Sequence, residues 1–489
     1  MAYLHGAYGE ITASKVSPAK QSDTVAVYIG TAPINLIRGY AEKNLINMPI
    51  KVANMSDTQS KLGYSDDWET FTLCEAFAEH FDNTVGNVGP IYVLNVLDPD
   101  THRAAEKTTS ELKFTNQRAE LESSDIILDT FAIADKAEGV DYSLEYNFAK
   151  GTVIVKLLTD SESTTLQCSY NTVNAGAVEA ADIIGQTTAD GQYTGLHALK
   201  LLYQNYNAVL NMLAAPGWSH IPAVYKALVS NVQKLNGHWD AFVNADIPLV
   251  GADGKAIDTI EKAIAWKEAN GYNIERSKVY WPKVKDGSGR VYHLSTVGQD
   301  TMQRVDLSHD SVPFESPSNK EIMATAQYFG EDAKNSGFDQ QTGNALNEKG
   351  ITTACFWGGR WVLWGPHTAA FSYGGSHDAR AIFDVNIRML MYITNSFQKD
   401  HGTDIDKPMT PQEKDTILNF ERQKLDTLCG IGALIGTPSV EFLETENPVA
   451  DMMNGDFVWN FDVTNTPPFK SGTARVSYTD EGFAAFFGE

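Results

Sequence analysis

Between Thr24 and Gly30 the chain reads TVAVYIG, apolar without a break from Val25 to Ile29. Such a run predicts a strand buried on both faces. Phe71, Cys74, Ala78 and Phe81 then recur at helical spacing. This predicts a helix over Trp68–Phe81, with Ser65 or Asp66 as its cap. A second apolar run, Pro90–Leu97, completes a β–α–β unit, and that alternation predicts a parallel α/β sheet.

Near Asp98 the period changes. KFTNQ, DIILDTFAI, YSLEYN, GTVIVKLL and TTLQCSY, between residues 105 and 185, are short and mostly alternating. They predict a small antiparallel β domain inserted into the α/β unit. The α/β pattern resumes at Gly195, where Leu196, Leu199 and Leu202 mark a helix and Ala208–Ala215 the next strand. Ser219 is expected to cap a helix with Pro222 in its first turn and a stripe of Val224, Leu228, Val232 and Leu235. Trp239–Ala245 predicts a strand, and Ile257, Ile260 and Ile264 a helix. Lys278–Val284 and Arg290–Ser295 predict further strands. From about residue 350 the pattern is α+β: a Trp-rich strand segment over Thr353–Trp364, then helices over Arg380–Lys399 and Pro411–Cys429.

The two ends differ from the rest. Tyr3–Ile11 is strand-like but isolated, and TASKVSPAKQSD (12–23) reads as an extended tether, able to span at most about 40 Å. Near the other end, Phe457, Trp459, Phe461 and Val463 share one face of a strand over Asp456–Thr464. Ala474, Val476 and Tyr478 share one face of a strand over Thr473–Thr479. Pro467-Pro468 separates the two and stops the first. Isolated strands are not stable in water, so both terminal strands need a sheet from elsewhere.

Composition narrows the function. With 43% hydrophobic and 20% charged residues over 489 positions, the chain is long enough for several globular domains. Its 38 basic and 62 acidic residues leave a net charge of −24 at pH 7, which argues against a nucleic-acid binder. Cys74, Cys168, Cys355 and Cys429 lie far apart without a CxxC pair, so free thiols and folding in a reducing compartment are expected. No signal-peptide pattern is visible, and no apolar stretch reaches the ~18–20 residues needed to cross a bilayer.

Histidines occur without HxxxH or HExxH spacing, and His80, His367 and His377 have no partner at ligand spacing. GADGKA (251–256) lacks the spacing and the Ser/Thr of a P-loop and reads as a turn. DGSG (286–289) reads as a hairpin turn, and GGR (358–360) and YGGS (373–376) as turns. There is no GxSxG elbow. Asp246 sits at a strand end, where α/β enzymes often place catalytic groups, but an aspartate there is more commonly a cap or turn residue. No cofactor, metal or catalytic residue is assigned.

The ordered series of segments resembles the tail sheath proteins of contractile bacteriophages along nearly the whole chain. The resemblance is carried by YLHGAYGEI, TVAVYIGTAP, VGPIYVLNVLDP, VLNMLAAPGWSHIPAVYKAL, SVPFESPSNKEI and LNEKGITTACFWGGRWVLWGPHTA, followed by DVNIRMLMYITNSF. In GPHTA relatives often carry a basic residue before Thr, where this chain has His367.

The resemblance implies an α/β, multi-domain fold: a parallel/mixed α/β sheath core, an inserted antiparallel β domain, an α+β C-terminal domain and extended terminal strand arms. The expected divisions are an arm and tether (1–23), the first part of the core (24–97), an outward-facing β insertion (98–190), the second part of the core (191–349), a tube-facing C-terminal domain (350–465) and a C-terminal arm (466–489). It implies a non-enzymatic subunit stacked as hexameric rings around a rigid tube, contracting to drive the tube through a bacterial envelope.

Its partners would be itself, the tail tube, baseplate and tail terminator proteins, with no nucleic acid or membrane. Its place would be the virion tail, after assembly in the host cytoplasm. Strand exchange is expected through Tyr3, Leu4, Ala7, Tyr8 and Ile11 at one end and Thr473, Ala474, Val476 and Tyr478 at the other. Lys414, Asp415, Asn419, Arg422 and Lys424 form the candidate tube-facing helix surface. The sheath of a headless phage-tail-like bacteriocin, or an α/β hydrolase-type enzyme without a readable motif, are the alternatives.

Overall fold

The computed structural model describes residues 20–159, 165–331, 338–486 and 488. The first elements are β1 (Lys20–Gly30), β2 (Pro49–Val52), α1 (Met55–Lys61), α2 (Leu73–Phe81) and β3 (Val88–Asn95). A run of short strands follows: β4 (Thr108–Lys113), β5 (Arg118–Glu122), β6 (Ala132–Ile133), β7 (Tyr142–Asn147), β8 (Thr152–Leu157) and β9 (Thr165–Tyr170). Then come α3 (Ala180–Ile184), α4 (Leu201–Tyr206), β10 (Met212–Ala214), α5 (Pro222–Asn231), β11 (Phe242–Asp246), α6 (Ile260–Asn270) and β12 (Ser277–Tyr280). Next are β13 (Lys283–Lys285), β14 (Val291–Tyr292), α7 (Leu294–Leu307), β15 (Ala326–Tyr328), α8 (Gln340–Asn347), β16 (Ile351–Trp357) and β17 (Arg360–Trp364). The chain ends through α9 (Asp384–Asp400), α10 (Pro411–Gly430), β18 (Ser439–Glu441), α11 (Val449–Asn454) and β19 (Asn460–Asp462).

The large sheet has the order β17-β16-β12-β11-β10-β1-β3-β2. Its inner strands run parallel from β16 to β3, and β17 and β2 close it antiparallel at either side. The continuous apolar runs read from the sequence lie at its centre: Val25–Ile29 of β1 and all of β3 are buried. β1 begins earlier than the expected tether boundary at 23, because Lys20 and Gln21 pair with Val88 and Gly89.

Both edges of this sheet are blocked. β2 starts with Pro49, which lacks a backbone donor, and its carbonyls at Pro49 and Lys51 accept from Tyr206 Oη (3.1 Å) and Lys61 Nζ (2.8 Å). β17 is flanked by the Pro-rich segment. Asn319 N donates to Leu363 O (2.6 Å), Leu363 N to Lys320 O (3.0 Å) and Ile322 N to Trp361 O (3.1 Å).

The principal correction concerns α7. The sequence predicts a strand over Arg290–Ser295, but β14 ends at Tyr292 and a helix starts at Leu294. Asp246 sets that start by accepting from Ser295 N (2.9 Å) and Ser295 Oγ (2.5 Å). α7 crosses the sheet over β1, β10 and β11. It is buried nearly all round, so its polar side chains bond inward. Gln299 Nε2 donates to Val27 O (2.9 Å), and Gln303 Nε2 to Thr24 O (2.8 Å) and Pro90 O (2.9 Å). At Gly298 a Cβ would stand 2.5 Å from the Tyr280 ring, so only glycine permits this approach.

A second correction concerns the expected boundary at 350. β16 pairs in parallel with β12 through Val279↔Ile351 and Tyr280↔Thr352, so Ile351–Trp364 belongs to the large sheet and does not open the C-terminal unit. The C-terminal cluster joins Val312 to Met389 and Ile393 of α9, Leu418, Leu425 and Leu428 of α10, and Val440 of β18.

Between β3 and α3 lie two antiparallel three-stranded sheets, β4-β9-β6 and β5-β8-β7. They share an apolar cluster that includes Phe131, Tyr142, Val153 and Val155. The expected KFTNQ strand falls on the turn between β4 and β5, where Asn116 and Gln117 have φ of 51° and 62°. Likewise, Trp68 lies in a turn before α2, whose N-cap is Thr72, not Ser65 or Asp66.

Candidate assembly surfaces and buried charge network

The last part of the chain builds a sheet unlike the others. β18 and β19 pair alone through Ser439↔Asp462, Val440↔Phe461 and Glu441↔Asn460. The pairing continues weakly at Leu434↔Asn465. The clean alternation read over Asp456–Thr464 therefore yields a ladder only at Asn460–Asp462. Upstream, Asn447 accounts for the backbone: its Oδ1 accepts from Val458 N (2.8 Å) and its Nδ2 donates to Val458 O (3.0 Å). One face of the sheet packs on the C-terminal cluster through Val440, with Phe461 and Trp459 against it. A two-stranded sheet is marginal alone. Among the described residues no third strand joins this one. Several polar atoms at β19 are buried without a hydrogen-bond partner: Trp459 Nε1, Asn460 Nδ2 and Asn465 Oδ1.

Past Thr466, whose N and Oγ1 donate to Ala433 O (3.1 Å) and Gly432 O (2.6 Å), Pro468–Gly472 line a cleft with Trp364, Pro366 and Tyr373 before the chain runs on exposed. Every described residue from Phe469 to Phe486 is exposed. Thr473, Ala474, Val476 and Tyr478 form no ladder among the described residues, and Val476 and Tyr478 are 92% and 85% exposed. The corresponding residues at the other end, Tyr3, Leu4, Ala7, Tyr8 and Ile11, lie outside the described residues.

α10 begins at Thr410, whose Oγ1 accepts from Glu413 N (3.1 Å), with Pro411 at its first position. Of the expected surface residues, Asp415, Asn419 and Arg422 are exposed at i, i+4, i+7 spacing. Lys414 and Lys424 are not on that stripe. Lys414 Nζ stands 5.8 Å from the Phe442 ring centre, and Lys424 Nζ binds Asp400 at 2.6 Å and Glu421 at 3.3 Å. Both lysines bind within the chain because their neighbours on α9 and after β18 lie on that side.

Sequence reading missed the charges inside the protein, since buried ion pairs between distant segments leave no local pattern. Lys278 on β12 is fully buried against Asp384 at the start of α9, and also donates to Gly365 O (2.7 Å) and His367 O (3.3 Å). Burial pushes the Lys278 ammonium below its ordinary range, opposed by Asp384. One turn along α9, Arg388 pairs with buried Asp306 of α7, which also accepts from Thr24 Oγ1 at 3.2 Å. His367 itself carries no charge near neutral pH. Burial lowers it to about 4, and its ring stacks on Phe371 at 3.6 Å. The cation at this place in the fold is Lys278, beneath the His367 carbonyl.

A second buried group lies between α2 and α7. Asn83 Nδ2 bridges Glu79 Oε1 (3.0 Å) and Asp300 Oδ2 (3.4 Å), with Arg304 Nε 3.4 Å from the latter. His80 lies beside them, its Nε2 2.7 Å from Tyr28 Oη, and burial lowers it to about 3. Burial raises both carboxyls, Asp300 to about 7 from an ordinary 3.8. A carboxyl that holds its proton more tightly when folded contributes stability fully below about pH 4 and loses it as pH rises through about 7. Across that window Asp300 lowers the melting temperature as pH rises, while His80, lowered by burial, acts in the opposite sense. Asp300→Asn is therefore expected to make the slope of melting temperature against pH more positive. An unchanged slope in that variant would exclude this cluster as its source.

Among the described residues no group of three or more His, Cys, Asp or Glu is placed to hold a metal ion. No helix among them is long and apolar enough to cross a membrane.

No protein-family model matches the chain. A curated relative, the tail sheath protein of Burkholderia phage BcepMu, is 26% identical over 503 aligned positions, covering 98% of this chain and 97% of the relative. Among solved structures, a chain of the anti-feeding prophage baseplate superposes with a TM-score of 0.57 at 14% identity, covering 98% of this chain and all of that one (100%). The sheath complex of an extracellular contractile injection system, PVC, in its contracted state gives a TM-score of 0.54 at 12% identity, covering 99% of each chain. The solved structures share the fold of this chain, and along nearly its whole length the chain is similar to a curated tail sheath protein of a phage.

Proposed function

We propose that the chain polymerises as stacked hexameric rings around a tail tube, joined by strand exchange at β18–β19, and that the polymer contracts to drive the tube through a bacterial envelope. The observation that carries this reading is the contrast between sheets. The large sheet has both edges blocked, whereas β18–β19 is a two-stranded sheet beside an exposed, strand-patterned tail. Strand addition satisfies backbone groups and tolerates varied side chains. About six backbone hydrogen bonds at about 0.5–1.5 kcal/mol net each hold a donated strand by several kcal/mol. Such a link can persist while the globular faces break and re-form. It is also heterologous, as an open helical array requires.

In this reading α10 faces the tube through Asp415, Asn419 and Arg422, and the β4–β9 insertion faces outward. The tail tube, baseplate and terminator proteins are the further partners. The particle is assembled in the host cytoplasm, and the chain has no enzymatic role. Electron micrographs of the purified full chain test it: tubes or rings are expected, and a strictly monomeric protein at high concentration would count against it. Removing residues 1–19, which stops short of β1, is expected to leave the melting temperature unchanged and to abolish regular tubes. Regular tubes from that truncated chain would exclude a role for the first arm.

A further inference from the structure

The loop joining β18 to β19 contains a short helix that is mostly exposed, with Met452 alone half-buried. α11 has no buried residue among its described positions. Val449 and Met453, at i and i+4, are 67% and 84% exposed, and Leu443 and Val458 beside them are also exposed. The loop is nevertheless firmly built. Asn447, almost fully buried, donates to Leu443 O (2.9 Å) and Val458 O (3.0 Å) and accepts from Val458 N, tying the two ends of the loop together. Gly455 ends the helix in the left-handed conformation, φ 91°. An apolar pair held in solvent on a firmly tied loop gains little for the isolated chain.

Its position gives it an occupant. The loop leaves the sheet at the Glu441↔Asn460 pair. A strand laid along β18 or β19 with its C-terminal end at that pair brings the residues that follow it to the loop carrying α11. On the tail, the strand-patterned stretch Thr473–Thr479 is followed at once by the turn Glu481–Phe486, whose Phe483 and Phe486 are exposed and stand with ring centres 6.1 Å apart. Strand and aromatic turn follow each other on the donor, as sheet and apolar helix do on the acceptor.

We propose that α11 is a clasp for the Glu481–Phe486 turn of a second copy of this chain. Phe483 and Phe486 of the second copy pack on Val449 and Met453 once its Thr473–Thr479 strand lies along the β18–β19 sheet. Thioether and aromatic ring suit each other at such a contact. The clasp rests on the strand-exchange reading and adds a lock beyond the strand.

The test is the threshold concentration for tube formation by the full-length protein, read by sedimentation and micrographs. Val449→Asp with Met453→Asp alters only exposed side chains, so the melting temperature of the monomer stays as in the parent. The threshold is expected to rise about tenfold or more, the factor that a modest apolar contact supplies. Phe483→Ser with Phe486→Ser is expected to raise it similarly, and the combined variant to be no worse than either pair, as for partners in one contact. An unchanged threshold in the Val449/Met453 variant overturns the clasp. So does an unchanged threshold in the Phe483/Phe486 variant, which would give α11 a different occupant. A chain lacking 473–489 that still forms tubes would overturn the strand-exchange reading itself, whereas tube loss there with wild-type behaviour in both paired variants removes the clasp alone.

Discussion

Lys278→Met is expected to destabilise the protein by about 3–5 kcal/mol, the cost of leaving one member of a buried ion pair without its partner. Lys278 and Asp384 are both fully buried. Methionine has nearly the length of the lysine stem and fills its space, so lost packing contributes little. What remains is the Asp384 carboxylate in a dry site, together with carbonyls of Gly365 and His367 that lose their donor. Replacing both partners, Lys278→Met with Asp384→Leu, is expected to recover most of the loss, because no charge is then stranded. Urea unfolding with a fixed slope measures it. A loss of less than about 1 kcal/mol in the single variant, the range of an exposed pair, would mean that water reaches this pair.

The pair also has a mechanical consequence. Asp384 and Arg388 lie one turn apart on α9, and both are bonded into the core, to Lys278 and Asp306. Further along the same helix Met389 and Ile393 pack with α10 and β18. α9 thus fastens the unit bearing β18–β19 and the tail to the large sheet. In the strand-exchange reading, a pull on a donated strand would be passed to the core through this helix.

Deleting residues 473–489 is the second large effect expected. The described residues of this segment are exposed, so the truncated chain should melt at the parent temperature. Each lost strand removes several backbone hydrogen bonds from every junction, at about 0.5–1.5 kcal/mol each. Since every tenfold in association is worth about 1.4 kcal/mol, tubes should vanish at any practical concentration. Val476→Pro, which removes one ladder donor, should weaken assembly less and also spare the monomer. A fall in melting temperature matching the loss of assembly would place this segment in the subunit's own core.

The elements legible in the sequence were those whose burial has a simple period. β1 and β3 are continuous apolar runs, β7 matches YSLEYN residue for residue, and α10 opens at its Thr-Pro start. α7 was illegible because it is buried on nearly every side: its Gln, Asp, Ser and Thr residues bond to the sheet, and no polar face is left to give it a period. The place of β16 was illegible for a different reason. Its partner β12 is distant in sequence, and pairing at that range leaves no local mark. Of the candidate surfaces, the tail was visible from its alternation after Pro467-Pro468. α11 was missed because a helix of one and a half turns carries too few positions to show a stripe, and the Lys278–Asp384 pair because ordinary surface lysines and aspartates look the same in sequence.

The central claim is that β18–β19 is completed by strands from other chains. A cryo-electron microscopy map of the assembled, extended sheath tests it most directly. The β18–β19 sheet is expected to carry at least one further strand belonging to a different subunit, with Thr473–Thr479 among the donated segments. A map in which β18–β19 remains two-stranded, or is completed only by its own chain, would contradict it.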